Sequence, residues 1–109
     1  MDKIMNEVCV FLADGFEEIE GLTVVDLLRR AGIETRTVSI MGQEEIKGAH
    51  GIIVKADSLF ENTDFSEVKM LVLPGGMPGT IHLKENIMKK KNIWLQSVRH
   101  RPYLAEWES

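Results

Sequence analysis

An unbroken run of six apolar residues, Val8 to Ala13, constrains the fold of this chain more than any other feature and ends at Asp14-Gly15. Apolar runs of this length, bounded by turn residues, are typical of a strand buried on both faces of a parallel sheet. Parallel neighbours need a crossover connection, so a helix is expected directly after the strand. The run therefore predicts an α/β fold that begins with a βα unit.

The residues after this strand do have a helical pattern. Apolar residues recur at three-residue steps, at Ile19, Leu22, Val25 and Leu28. Three acids lie in the first turn, namely Glu17, Glu18 and Glu20. Arg29 and Arg30 precede Gly32 at the other end. Acids at the start and bases at the end complement the helix dipole, and glycine suits a left-handed cap. We predict a helix that starts near Glu17 and stops before Gly32.

The remaining elements complete the pattern of a partial doubly wound sheet. Residues 34–40 predict a half-exposed strand nearer the sheet edge, and residues 41–54 predict a small hairpin leading into a short strand. Residues 57–69 predict a connection with one helical turn, which is followed by a buried strand at 70–73 and a glycine-rich loop at 74–79. This order predicts the N-terminal part of a flavodoxin-like α/β domain, in which ligands bind beyond the carboxyl ends of the strands. Two loops, 14–20 and 74–79, fall at that end.

Composition limits the compartment and the partners. The chain has 109 residues, 44% of them hydrophobic, and a single cysteine, Cys9, which cannot form an internal disulfide. No signal-peptide pattern opens the chain and no apolar run approaches the roughly 20 residues of a membrane span, so we expect a cytoplasmic protein without a membrane segment. The net charge is −4, and the short basic run Lys89-Lys90-Lys91 lacks a nucleic-acid-binding pattern. We therefore expect no nucleic-acid partner.

Three segments, 11–20, 27–32 and 71–79, together resemble the ThiJ/PfpI family, which belongs to the class I glutamine amidotransferase-like superfamily and includes deglycases. The resemblance runs in order from residue 8 to about residue 84. It implies a relationship to cysteine-dependent glyoxalase, deglycase or hydrolase enzymes that act on small carbonyl-type substrates. It also implies a homodimer, and no cofactor is expected.

The resemblance also implies roles for three residues. In the family a cysteine nucleophile sits on a tight strand-to-helix turn, a carboxylate from the first loop contacts its thiol, and a Gly-Gly loop lines the oxyanion side. These roles fall on Glu20 for the carboxylate and on Gly75 and Gly76 for the loop. From the residues alone, Glu20 could instead be only a first-turn acid, and the glycines only a turn.

The nucleophile of the family has no counterpart in this sequence. The segment Ala-Ala-Ile-Cys-Ala-Ala-Pro is absent after Thr80, and Cys9 lies within the first predicted strand, where it should be packed. His82 and His100 lack metal-ligand spacing, so we expect no metal, and His50 in the hairpin is expected to be solvated or at a subunit contact. The chemistry of the intact enzymes is therefore expected to be absent.

The tail is interpreted separately from the body. We assign residues 1–84 to the N-terminal part of a ThiJ/PfpI domain and residues 85–109 to a divergent, truncating tail. Regrouping possible codons of residues 96–109 allows Ile-Cys-Ala-Ala-Pro, which suggests a frameshift near Lys89-Lys90-Lys91. This interpretation predicts an apolar, unpaired edge at strand 70–73. The alternative is a non-catalytic interaction or small-ligand module, possibly dimeric, that folds and stays monodisperse.

Overall fold

The computed structural model describes residues 4–66, 68–75 and 103–106. Their elements in chain order are β1 (Ile4–Leu12), α1 (Glu18–Arg30), β2 (Ile33–Ser39), β3 (Glu45–Lys47), β4 (Ile53–Lys55), β5 (Ser58–Leu59), a 3₁₀ turn (Phe60–Asn62), β6 (Val68–Leu73) and β7 (Tyr103–Glu106). Every strand and the helix predicted between residues 8 and 73 is present, and the helical turn expected within 57–69 is the 3₁₀ turn.

The main sheet is parallel and has the order β5-β2-β1-β6-β7, with the β3–β4 hairpin as a separate two-stranded unit. β1 is central, between β2 and β6, as its unbroken apolar run predicted. β2 has only the two-residue β5 beyond it, which agrees with its predicted place near the edge. The flavodoxin-like α/β fold class is therefore confirmed.

Alternate residues of β1 enter two separate cores. Cys9, Phe11 and Ala13 pack on one face with Phe60 and Phe65, whereas Val8, Val10 and Leu12 pack on the other face against α1. Side chains of successive strand residues point to opposite faces, so a strand with no polar position must be covered on both. The 3₁₀ segment covers one face of the sheet, and the helix covers the other.

The helix follows its predicted bounds, and its first turn buries an acid. Gly32 takes a left-handed φ of 81° just after the C-cap, as expected. In the first turn, Ile19 is 74% exposed and Glu18 is buried. The hairpin packs against this turn and offers Glu18 hydrogen-bond donors, so the apolar spacing that indicates the helix does not mark its buried residue here.

The edge of β6 also differs from expectation. Residues Tyr103–Glu106 form β7, which pairs in parallel with β6, with Met70 opposite Tyr103 and Leu73 opposite Glu106. The predicted unpaired edge at 70–73 is therefore wrong. The edge of a buried parallel strand offers a row of backbone donors and acceptors. Any extended segment can pair with them through its own backbone, whatever its side chains are. The boundary at residues 84 and 85, and the tail apart from β7, lie outside the described residues.

Asp57 ties the end of α1 to the sheet. Its Oδ2 accepts hydrogen bonds from the backbone N–H of Thr37 at 2.9 Å, from the Thr37 hydroxyl at 3.1 Å and from the Arg29 guanidinium at 2.8 Å. The same guanidinium donates to the carbonyl of Thr35. One carboxylate thus links the helix, β2 and the turn before β5.

Asp57→Ala is expected to lower the free energy of unfolding by about 1–3 kcal/mol, because the backbone N–H of the buried Thr37 loses its acceptor. Urea denaturation measures this. The matched control is Asp26→Ala, which removes a carboxylate from an exposed pair with Arg30 and should change stability by about 0.5 kcal/mol or less. Equal effects of the two substitutions would show that the Asp57 network is unimportant.

Candidate functional site

The two loops predicted to carry the site lie side by side. β1 and β6 are neighbours, so the loops that leave their carboxyl ends meet at the same edge of the sheet. The backbone N–H of Glu17 donates to the carbonyl of Gly75 at 2.8 Å, which joins the start of α1 to the Pro74-Gly75 loop. A Cβ built on Gly21 would lie 3.0 Å from the ring of Phe16 and 3.4 Å from Pro74. A residue without a side chain at position 21 therefore lets the helix approach this loop closely.

Glu20 lies in the first turn of α1, next to this junction. Its side chain is partly buried, and its Oε2 atom is shielded from solvent without a hydrogen-bond partner among the described residues. Buried carboxylate oxygens are nearly always satisfied in folded proteins, so an exception calls for a partner that comes from elsewhere. This atom is the strongest structural indication of a ligand or of a missing catalytic group.

The glycine loop is described only in part. Gly75 is buried and its carbonyl accepts the bond from Glu17. Gly76, the other residue predicted for the oxyanion side, lies outside the described residues. The structure therefore brings Glu20 and Gly75 to one end of the sheet and does not place Gly76.

Cys9, the one cysteine of the sequence, is remote from this end. It lies in the middle of β1, opposite Arg36 in β2 and Leu71 in β6, and its side chain is fully buried. Three residues separate it from the end of the strand at Leu12, about 10 Å at the usual rise. Burial, reinforced by the nearby Glu7 carboxylate, raises the pKa of its thiol to about 12. The expectation that Cys9 is packed within the strand is confirmed.

Glu18 is the residue that sequence reasoning missed. Its carboxylate accepts hydrogen bonds from the backbone N–H groups of His50 at 2.8 Å and Ile52 at 3.3 Å, and its other oxygen lies 2.9 Å from Nδ1 of His50. Gly48 packs directly against the carboxylate, and a Cβ there would overlap it. The only available signal was a glycine and a histidine in a hairpin opposite an acid-rich turn, some 32 residues away in the sequence.

The charges of this group stabilise one another. Burial alone would raise the pKa of Glu18, but the hydrogen bonds from the His50 side chain and from backbone N–H groups outweigh it and lower the pKa to about 2. The hydrogen bond to Glu18 and the nearby charge of Glu17 raise the pKa of His50 above its ordinary value. His50 is 67% exposed, as its predicted solvated position requires, yet one ring nitrogen is held by Glu18.

The same three side chains form the group of possible metal ligands found among the described residues. Donor atoms of Glu17, Glu18 and His50 all lie within 4.8 Å of one another. Both carboxylate oxygens of Glu18 are already engaged by the hairpin, so the arrangement functions as an ion-paired hydrogen-bond network as it stands. The prediction that the chain binds no metal stays a prediction. In the described part of the chain, no helix has the length and hydrophobicity that crossing a membrane requires.

Comparisons with known proteins point to one family. A model of the DJ-1/PfpI family, the group called ThiJ/PfpI above, matches residues 6–98. Protein DJ-1 homolog A of Arabidopsis thaliana is 33% identical over 97 residues, which cover 84% of this chain and 25% of that protein. A deglycase of Thermococcus kodakarensis is 35% identical over 80 residues, which cover 72% of this chain and 48% of the deglycase.

Solved structures give the same result for the fold. The crystal structure of a DJ-1 superfamily protein from Salmonella typhimurium matches with a TM-score of 0.79 and 26% identity, over 93% of this chain and 54% of that one. The chain thus spans about a quarter to a half of the length of the relatives it matches.

Proposed function

The chain belongs to the DJ-1/PfpI family, and from that premise we propose that it carries the carboxylate and glycine-loop half of a cysteine-dependent site for small carbonyl compounds, without the thiol. The observation that carries the proposal is the buried Oε2 of Glu20, which has no hydrogen-bond partner among residues 4–66, 68–75 and 103–106 and lies beside the loop that contains Gly75. A complete site would place a thiol against that oxygen.

The proposed chemistry of a complete site explains these residue types. A thiolate attacks the carbonyl carbon, and the oxygen of that carbonyl gains negative charge. The Glu20 carboxylate takes the thiol proton, holds it in a hydrogen bond to the thiolate and passes it to the oxyanion after the attack, while backbone N–H groups at Gly75 and Gly76 stabilise that oxyanion. The similarity to a deglycase supports carbonyl adducts such as methylglyoxal products as substrates, and hydrolysis on the same scaffold is the alternative reaction.

The one thiol present does not fit the nucleophile role. Cys9 is buried in mid-strand, and its high pKa keeps it protonated at neutral pH. Nucleophilic cysteines instead have lowered pKa values and partial exposure. We therefore propose that the 109-residue chain is inactive as a thiol enzyme, whatever a longer protein of this family would do.

The assay is conversion of methylglyoxal to lactate by the purified chain, compared with Cys9→Ser and Glu20→Gln. We expect all three to match the rate in buffer, because the reaction needs a thiolate at the carboxyl end of the sheet. A known glyoxalase of the family in the same plate serves as the positive control. Turnover by the wild type that Cys9→Ser abolishes would overturn the proposal.

The second candidate is a non-catalytic module that binds a small ligand or forms a homodimer. It is favoured by β7, which covers the edge of β6 that a truncated sheet would expose. This candidate expects a monodisperse, folded protein, and sedimentation together with the dispersion of amide NMR signals distinguishes it from an associating fragment. A cytoplasmic location and an out-of-frame origin of residues 85–109 stay predictions, the second of which the nucleotide sequence decides.

A further inference from the structure

We propose that Glu18 and His50 form a proton-sensitive clamp that holds the β3–β4 hairpin against the first turn of α1. The hairpin with its connecting residues 45–55 is called the arm below. The clamp goes beyond the proposed function, because it concerns how this turn is held and not which substrate the site takes. The contact between Glu18 and His50 can be tested in the 109-residue chain without a substrate.

The arm is fixed at residues 47 and 49 by hydrogen bonds to the loop between β1 and α1. The backbone N–H of Gly15 donates to the carbonyl of Lys47 at 2.8 Å, and that of Ala49 donates to the carbonyl of Phe16 at 2.8 Å. The backbone N–H of Lys47 donates to Oδ1 of Asp14 at 3.1 Å. None of these three bonds involves Glu18 or His50, so residues 47 and 49 should stay attached when the tip of the arm, residues 50–52, does not.

The tip of the arm depends on Glu18. The backbone N–H groups of His50 and Ile52 both point at its carboxylate, and the His50 ring closes the contact from the exposed side. Gly48 is required for this approach, because any side chain there would displace the carboxylate. The tip is therefore held against α1 by one buried acid, next to the bond from Ala49 to Phe16.

The proton on His50 sets the strength of the contact. The charged groups that act on the ring are Glu18, the first residue of α1, at 2.9 Å, and Glu17, its N-cap, at 3.7 Å. Asp14, the acid of the adjoining loop, is engaged by the backbone of Lys47. The pKa of His50 is raised on folding. The stability that the protonated ring adds to the contact with Glu18 is therefore complete below the ordinary pKa of 6.5 and is lost as pH rises through the higher folded value. Glu18, with a pKa lowered to about 2, stays charged throughout this range.

The clamp has a consequence for the candidate site. The first turn of α1 is held on one side by the bond from Glu17 to Gly75 and on another by the arm on Glu18, and Glu20 lies in that same turn. Glu18 is thus a positioning residue for Glu20. This consequence rests on the proposed function, whereas the clamp itself does not.

The test is an NMR titration of the wild type, Glu18→Gln, His50→Gln and the control Glu45→Gln, an exposed carboxylate of the same arm. The His50 ring should titrate above pH 6.5 in the wild type and the control, and its pKa should fall in Glu18→Gln. Amide exchange of His50 and Ile52, corrected for intrinsic rates, should accelerate about twofold to fivefold between about pH 6 and about pH 9 in the wild type, the range expected of an exposed ion pair. In His50→Gln it should show no such change.

Two results would overturn the clamp. One is a His50 pKa at or below 6.5 in the wild type; the other is an exchange change with pH that His50→Gln retains. His50→Gln alters an exposed ring and keeps a side-chain donor, so its folding is secure enough to decide the matter. Neither result would bear on methylglyoxal turnover, so failure of the clamp and failure of the proposed function remain distinguishable.

Discussion

Replacing Phe11 by alanine should lower the free energy of unfolding by about 3–5 kcal/mol, the range expected when a fully buried phenylalanine is truncated. Phe11 is 1% exposed in the central strand. Its ring centroid lies 5.8 Å from that of Phe60 and 6.0 Å from that of Phe65, the latter in edge-to-face geometry. Truncation removes the transfer free energy of the ring and leaves a cavity between the sheet and the 3₁₀ segment.

Urea denaturation followed by far-ultraviolet circular dichroism measures this effect. The control is Leu27→Ala, at a 59% exposed position on α1, which should change stability by about 0.5 kcal/mol or less. A loss of less than about 1 kcal/mol for Phe11→Ala would contradict a packed second core under β1. If Phe11→Ala does not fold, Phe65→Leu should still show a smaller loss, because much of the ring contact with Phe60 is kept as apolar contact.

The sequence was informative where a single physical cause determines a structure. The run from Val8 to Ala13 has no polar position, so only a strand covered on both faces can accommodate it. The acids, the arginines and Gly32 mark the ends of α1 because each satisfies a separate demand of a helix terminus. The central strand and the bounds of the helix could therefore be predicted.

Prediction failed where partners distant in sequence compete for one position. In the first turn of α1, apolar spacing indicated the helix but not its buried residue, because the backbone donors of the arm bury Glu18 while Ile19 is exposed. The arm contributes no periodic signal of its own, since its β-strands have three residues each. The prediction that β6 has an unpaired edge was wrong for a related reason. Pairing through backbone groups is insensitive to the changed composition that set residues 85–109 apart.

The candidate site was predictable only in part. Glu20 and Gly75 came from resemblance to a family, and periodicity alone left Glu20 as a first-turn acid. The structure adds the Oε2 that lacks a partner within the described part of the chain, and the bond from Glu17 to Gly75. The sequence could not contain either, because both depend on the approach of two loops. The link between Glu18 and His50 spans the arm and needed three-dimensional information from the start.

The reactivity of Cys9 tests most directly the claim that this scaffold lacks its thiol. The pKa of about 12 makes the thiolate scarce, and full burial excludes reagents. Although a more basic thiolate is intrinsically more nucleophilic, alkylation by iodoacetamide near pH 8 should be at least about a hundredfold slower in the folded chain than in urea. Mass spectrometry of quenched samples gives both rates, with free cysteine as the reference. Slow modification in the fold with ordinary reactivity in urea is the predicted result, whereas folded Cys9 that reacts as fast as free cysteine, or faster, would contradict the account.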